Sequence, residues 1–288
     1  MTMAPTGSLS PVLPTLTTRR RRPAVVAATL LAVVLLLAAG CGSKDRPTLT
    51  GNTLSTDTSS SATTEVAAAP KACKSLTAGQ SLVATAAAEG PLSIYANSGD
   101  ATPSTTLPNP RLINNDPNAK VPLTFLVADF PETGTCDWVK VFLPVRPNGS
   151  TGWVKSSDVA FAVNDYRVEV TLSAFSLKVF KDGAQTEDIK VGVARDNTPT
   201  PGGLYYTTEL IKTPNPGGSY GPYAFGLSGF SDTLTTFNGG PGQLGIHGTN
   251  EPEAIGTQVS HGCIRMANTD ITRLARYLPL GTPVQIDA

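Results

Sequence analysis

Histidine is almost absent from this 288-residue chain, which holds two. Cysteine is scarce at four, tryptophan stands at two, and aromatic residues together make up 6%. Charged residues reach only 15%, well below the usual quarter, and the formal net charge is zero. Beyond residue 40 no basic patch stands out, which makes nucleic acid a poor partner. The longest apolar run, residues 24–39, is about 16 residues long and falls short of the ~20 needed to span a bilayer. Glycine and proline are plentiful by contrast, at 27 and 24. That mix suits turn-rich β architecture better than helical bundles, and the length allows one large domain or two modest ones with tails.

The N-terminus reads as an address. Arg19, Arg20, Arg21 and Arg22 precede the apolar run, and Gly40-Cys41-Gly42-Ser43 follow it. A basic region, a short apolar stretch and small residues before a cut site describe a secretory signal over residues 1–40. Leu37-Ala38-Ala39-Gly40-Cys41 resembles a bacterial lipobox, which implies that Cys41 is lipidated and becomes the mature N-terminus. The expected location is then the outer face of the cell membrane; an uncleaved anchor or a soluble secreted form is the alternative. Without its four leader arginines the chain carries 18 basic against 22 acidic residues.

Residues 41–72 are rich in Ser, Thr and Ala and too poor in large apolar side chains to offset chain entropy, so they read as a flexible tether. Cys73 and Cys136 are left over once Cys41 and Cys263 have roles. Outside the cytoplasm such a pair is expected to form a disulfide, worth roughly 4 kcal/mol in the chain-entropy model, with two independent thiols as the alternative.

Residues 73–160 hold short β-like runs at 92–95, 123–128, 138–142 and 152–154, separated by Pro, Gly and Asn. Trp138-Val139-Lys140-Val141-Phe142 followed by Gly152-Trp153-Val154-Lys155 resembles the end of a bacterial SH3-like barrel. That implies either a wall-binding module or a packing domain that positions its neighbour. In residues 165–288 the alternation is cleaner: strands at 167–170 and 176–180, an Asp182-Gly183 turn, and a strand at 189–193 make a β-meander. Ile271, Leu274, Ala275 and Leu278 fall at helical spacing, so a short amphipathic helix is expected over 269–278, capped by Asn268 and closed by Pro279.

Both histidines lie within sixteen residues of Cys263, in Ile246-His247-Gly248-Thr249 and Ser260-His261-Gly262-Cys263-Ile264-Arg265. A free thiol is only about 3% ionised at pH 7, and a nearby imidazole can take its proton and hold an ion pair. On a strand, His261 and Cys263 would point to the same side. Gly262 would let a substrate carbonyl approach backbone N–H groups that bind an oxyanion. The Gly248 carbonyl could fix one tautomer of His247 without an Asp.

These two motifs look like the signature of the L,D-transpeptidases (the YkuD-type family), with Thr200-Pro201-Gly202-Gly203-Leu204-Tyr205-Tyr206 in support. The resemblance covers about residues 165–288. It implies a mainly β protein: a YkuD-like β-sandwich with its cysteine in a cleft under a loop lid, a short C-terminal helix, and a small β domain before it. It implies Cys263 as nucleophile, His247 as base, and His261 with Gly262 and the Cys263 amide around the oxyanion. Ser260 and Arg265 match motif positions, as substrate contacts or as a turn hydroxyl and an ion pair. The Gly/Pro-rich segment 215–230, with Tyr220, Tyr223 and Phe225, falls where the family's lid lies, and Tyr223 is the expected substrate contact.

The resemblance further implies peptidoglycan tetrapeptide stems as donor and acceptor, joined 3→3 with release of D-Ala, carbapenem-type β-lactams as inhibitors, and no cofactor or metal. Three rivals stay open on sequence alone. The same site could trim stems with water as an L,D-carboxypeptidase, or attach proteins to the wall. Two His and a Cys could hold zinc. A wall-binding lipoprotein with a dead site is the third.

Overall fold

Asp182 and Gly183 both adopt positive φ, 52° and 80°, the pair of angles that closes a two-residue hairpin with the right twist. Pairing resumes at once, with Lys181 opposite Ala184, so the third meander strand is Ala184–Lys190 rather than 189–193. It forms the outer edge of its sheet and buries little but Ile189. An exposed edge strand carries polar side chains on both faces and leaves no alternation to read.

The computed structural model describes residues 76–113, 119–131, 135–237 and 239–288. Cys41, Cys73 and the segments read as signal and tether lie outside the described residues, and Cys136 takes part in a disulfide. Among the described residues no helix is long and apolar enough to cross a membrane.

The described residues belong to one compact unit, and it is mainly β. A five-stranded sheet runs in the order Thr151–Lys155, Trp138–Phe142, Thr124–Asp129, Ser81–Ala86, Val159–Asn164. Its core is built on Phe125, Val139, Val141 and Val154. An eight-stranded sheet follows, in the order Ala184–Lys190, Ser176–Lys181, Tyr166–Thr171, Pro283–Asp287, Gly203–Lys212, Tyr223–Phe230, Gln243–His247, Ile264–Arg265. Phe225, Leu227, Leu244 and Ile246 project from one face of it into a second core with Ile271, Leu274 and Leu278. The two layers are stitched by buried polar contacts. Tyr206 donates its hydroxyl to the Phe142 carbonyl at 2.9 Å, and Asn164 donates to Thr282 at 3.1 Å.

The helix spans Asn268–Leu274, and hydrogen-bonded turns carry it on to Leu278. Asn268 does not cap it: Ala267 stands at the cap without a side-chain bond. The Asn268 side-chain oxygen Oδ1 instead accepts the Thr249 N–H at 2.8 Å, tying the helix start to the turn that follows His247.

Candidate active site

The strand Gln243–His247 pairs with both neighbours, Ala224 opposite His247 and Gly226 opposite Gly245 on one side, Ile264 beside Ile246 on the other. Directly paired residues share a face, and alternate residues change face. Since Ile246 and Ile264 enter the core, Gly245 and His247 face the opposite way. A Cβ on Gly245 would lie 3.9 Å from Cys263 Sγ. The thiol and the His247 imidazole therefore share the face turned away from the core.

A groove of about 850 Å³ occupies this face. Ile211, Ala224, Gly226, Gln243, Gly245 and His247 form its floor, and the glycines and alanine are what hollow it. The strand Gly203–Lys212 joins this face through a β-bulge: Thr207 pairs with Leu227 on the core side, yet Glu209 pairs with Gly226 on the groove side. One extra residue at that point exchanges the faces.

His247 is buried, and its Nδ1 lies 2.6 Å from the Gly248 carbonyl. A carbonyl can only accept, so Nδ1 carries the proton and Nε2 is left as the base. Burial drives the His247 pKa down to about 4, against the pull of the Gly248 carbonyl and with help from the Arg265 charge. The Cys263 thiol is pushed up by burial, opposed by the Gly245 amide that hydrogen-bonds it and by Arg265. Both shifts favour the uncharged forms. Burial thus works against the expected ion pair and toward a thiol beside a neutral imidazole.

His261 and Cys263 do not share a strand face. His261 and Gly262 form a bend between the strands Gln258–Ser260 and Ile264–Arg265, and Gly262 takes φ 129°, a value L side chains rarely adopt. His261 is exposed, and its ring stacks on Phe237 at 5.5 Å, on the rim of the groove.

Gly262 is not a free oxyanion donor. Its N–H donates to Ser260 Oγ at 3.2 Å, and its carbonyl accepts from Thr200 Oγ1 at 2.9 Å. The Ser260 hydroxyl in turn donates to the Cys263 carbonyl. Ser260 is buried, so it organises the nucleophile turn and has no access to substrate. Arg265 pairs with Glu251 at 2.9 Å, the ion-pair reading of that position. Thr200 had no assigned role in the sequence; only the folded contact shows one.

The segment 215–230 is not one lid. Tyr223–Phe230 is a strand, Phe225 is fully buried, and Tyr223 packs on the core side with it, the face opposite Ala224 and Gly226. The substrate role given to Tyr223 is thus corrected by strand alternation. Tyr220 is the aromatic at the site, its ring 4.7 Å from that of His247. Its loop is held by the turns Gly218 N–H to Asn215 O and Gly221 N–H to Gly218 O. Gly221, at φ 62°, would drive a Cβ into Gly248 and Asn268, so this close docking of loop on turn requires glycine.

Among the described residues no three His, Cys, Asp or Glu stand together as metal ligands, so the zinc reading of His247, His261 and Cys263 does not fit the geometry.

Residues 165–286 match the YkuD-type L,D-transpeptidase catalytic domain. A Bacillus licheniformis protein described as the L,D-transpeptidase YkuD is 36% identical over 121 residues, 42% of this chain and 65% of that protein. Its Bacillus subtilis counterpart is 35% identical over 122 residues, 42% of this chain and 66% of the relative. The match thus spans just under two thirds of either relative's length. A solved L,D-transpeptidase from Mycobacterium tuberculosis is 16% identical with a TM-score of 0.37, over 58% of this chain and 90% of that one, too loose a likeness to bear on the site.

Proposed function

We propose that the chain cross-links peptidoglycan stems through an acyl-enzyme on Cys263, a reading supported by the match of residues 165–286 to the YkuD-type L,D-transpeptidase catalytic domain. One observation carries the reading: on the groove face that holds the thiol, His247 has its Nδ1 fixed by the Gly248 carbonyl and its Nε2 free to take a proton.

The neutral resting pair sets the order of events. A separated thiolate and imidazolium would be costly in a buried site, so the thiol proton moves to Nε2 as sulfur attacks. The attacked carbon is the carbonyl between the diamino acid at position three of a tetrapeptide stem and D-Ala at position four. The C–N bond breaks, the D-Ala amine takes the proton from the imidazolium, and a thioester remains. A side-chain amine of a second stem then attacks the thioester and the C–S bond breaks. The amine's surplus proton returns to Cys263 through His247, leaving a 3→3 cross-link.

Residues 1–41 are read as a lipoprotein leader and anchor point, with residues 41–72 as the tether, which would hold this chemistry on the outer face of the membrane. Mass spectrometry of the purified protein with a disaccharide-tetrapeptide tests the proposal. A cross-linked dimer with loss of D-Ala is expected, along with a stem adduct on the Cys263 peptide. Free tripeptide alone would make the enzyme a carboxypeptidase, and no consumption of stem, or unchanged consumption by Cys263→Ala, would overturn the reading.

A further inference from the structure

Only two charged side chains line the groove among its described residues, and they are partners. Glu209 is buried, and Arg111 reaches it at 3.3 Å. They come from different sheets. Glu209 stands on the groove face because of the bulge before it, while Arg111 belongs to the short pairing of Arg111–Leu112 with Lys120–Val121. Gln243 Nε2 donates to the second carboxylate oxygen at 2.8 Å, and the Thr208 hydroxyl also bonds the carboxylate. Everything else on the groove floor is apolar or uncharged, His247 included at neutral pH.

The register fixes how far this pair is from the chemistry. Glu209, Gly226 and Gly245 stand opposite one another on three adjoining strands. The next strand sets Ile264 beside Ile246 and so Cys263 at the level of Gly245. The Glu209 carboxylate lies over Gly226, where any Cβ would collide with it. Gly226 is two strand spacings, about 10 Å, from Cys263. Between Glu209 and Cys263 the floor is two glycines, Gly226 and Gly245. It is a trough with the nucleophile at one end and a cation–anion pair at the other.

We propose that Arg111 and Glu209 form a subsite for the zwitterionic amino-acid end of the donor stem's diamino acid, its ammonium on Glu209 and its carboxylate on Arg111. The proposal rests on the stem-cleaving reading of Cys263 and names what that site selects. The lengths agree. Five C–C bonds join the attacked carbonyl carbon to the distal amino-acid carbon, and at roughly 1.2 Å of advance per bond they extend about 6 Å. With about 3 Å for sulfur to carbonyl at attack, the zwitterion falls about 9–10 Å from the thiol. A ligand bearing one charge matches one member of the pair, whereas an adjacent ammonium and carboxylate match both in sign.

The test compares three tetrapeptide stems on the full chain: a free diaminopimelate at position three, its distal carboxamide, and lysine, which keeps the ammonium and lacks the carboxylate. For the parent protein, kcat/KM is expected to drop about 10- to 100-fold from the free acid to either analogue, the worth of a hydrogen bond between charged groups, and to drop through KM. Arg111→Gln should erase the ratio between free acid and carboxamide; Glu209→Gln should weaken all three stems. Ratios between stems cancel any general loss from partial unfolding, and the parent series needs no variant. Equal turnover of the three stems by the parent, or a ratio unchanged in Arg111→Gln, would reduce the pair to a latch between sheets and leave the transpeptidase reading intact. A parent that consumes none of them overturns that reading and the subsite with it.

Discussion

The carbonyl of Gly248 accepts a hydrogen bond from Nδ1 of its own neighbour, His247, at 2.6 Å. No carboxylate is needed, and the imidazole stays neutral. Its pKa, held at about 4 by burial, has a consequence for stability. Above pH 6.5 the ring is neutral in both folded and unfolded chains. As pH falls from 6.5 toward 4 the unfolded chain takes up the proton and the folded one does not, so stability is lost across that window and levels off below it. The shift from 6.5 to about 4 corresponds to roughly 3 kcal/mol. In denaturant melts, the stability lost between pH 7 and pH 4 should be smaller in His247→Gln than in the parent by about this amount; equal losses would contradict it.

The two histidines should separate cleanly in function. His247→Ala is expected to slow β-lactam acylation of Cys263 by about 10²–10⁴-fold, the usual contribution of a positioned base. His261→Ala should cost far less, because that ring is exposed and stacks on Phe237. Stopped-flow acylation with a carbapenem, read by intact-protein mass, checks both. If His261→Ala is the slower variant, the base is misassigned.

Ser260 holds the nucleophile turn by accepting from Gly262 N–H and donating to the Cys263 carbonyl. Ser260→Ala leaves both groups buried without a partner, at about 1–3 kcal/mol of stability. Acylation should also slow, since Gly262 would lose one of its two anchors. Thr200→Val, which removes the other, should reproduce the acylation defect. Thermal melts and acylation rates together decide it; a Ser260→Ala protein with parent values in both would show that the turn holds itself.

Much of this was legible in the sequence because the signal was local. Asp182-Gly183, the alternation of 176–180 and the spacing of Ile271, Leu274 and Leu278 each specify an element within a few residues. Two histidines beside one cysteine in a histidine-poor chain gave the site. What stayed hidden depends on register and distance. The bulge at Thr208 swaps faces and so exposes Glu209 to the groove, and no composition signal marks it. Arg111 meets Glu209 across 98 positions. Tyr223 and Tyr220 looked equivalent until one fell on a strand's core face and the other on the loop above His247. The neutral thiol–imidazole pair follows from burial, which pattern alone does not measure.

For the leader, Cys41→Ala should yield an unprocessed precursor that takes no lipid label in the host membrane, because the lipobox-like Leu37-Ala38-Ala39-Gly40 would lack the residue that receives the lipid. Metabolic labelling with a radioactive fatty acid, beside a membrane fractionation, reads it out. A variant labelled and processed like the parent would remove the lipoprotein reading.

Arg146 gives the most direct test of what the first β layer does for the second. Its guanidinium donates to the carbonyls of Ser231, Leu234 and Pro241 at 2.7, 3.1 and 3.0 Å, and it lies over the Phe230 ring. Asn148 exchanges two hydrogen bonds with the Phe230 backbone at 2.8 Å each. These contacts grip both ends of the stretch that carries Phe237 and the groove-lining glycines Gly239, Gly240 and Gly242. Three carbonyls gathered by one planar fork are poorly served by water or by a shorter side chain. Arg146→Ala should therefore speed amide exchange across residues 231–242 and lower kcat/KM for stems about tenfold, the effect of ~1.4 kcal/mol in positioning. Exchange in Tyr166–Thr171, on the far side of the sheet, should not change. Arg146→Lys should rescue only part of the loss, since an ammonium cannot span the three acceptors. Parent-like exchange at 231–242 in Arg146→Ala would mean that the stretch holds its own shape, and that the first layer packs against the groove without setting it.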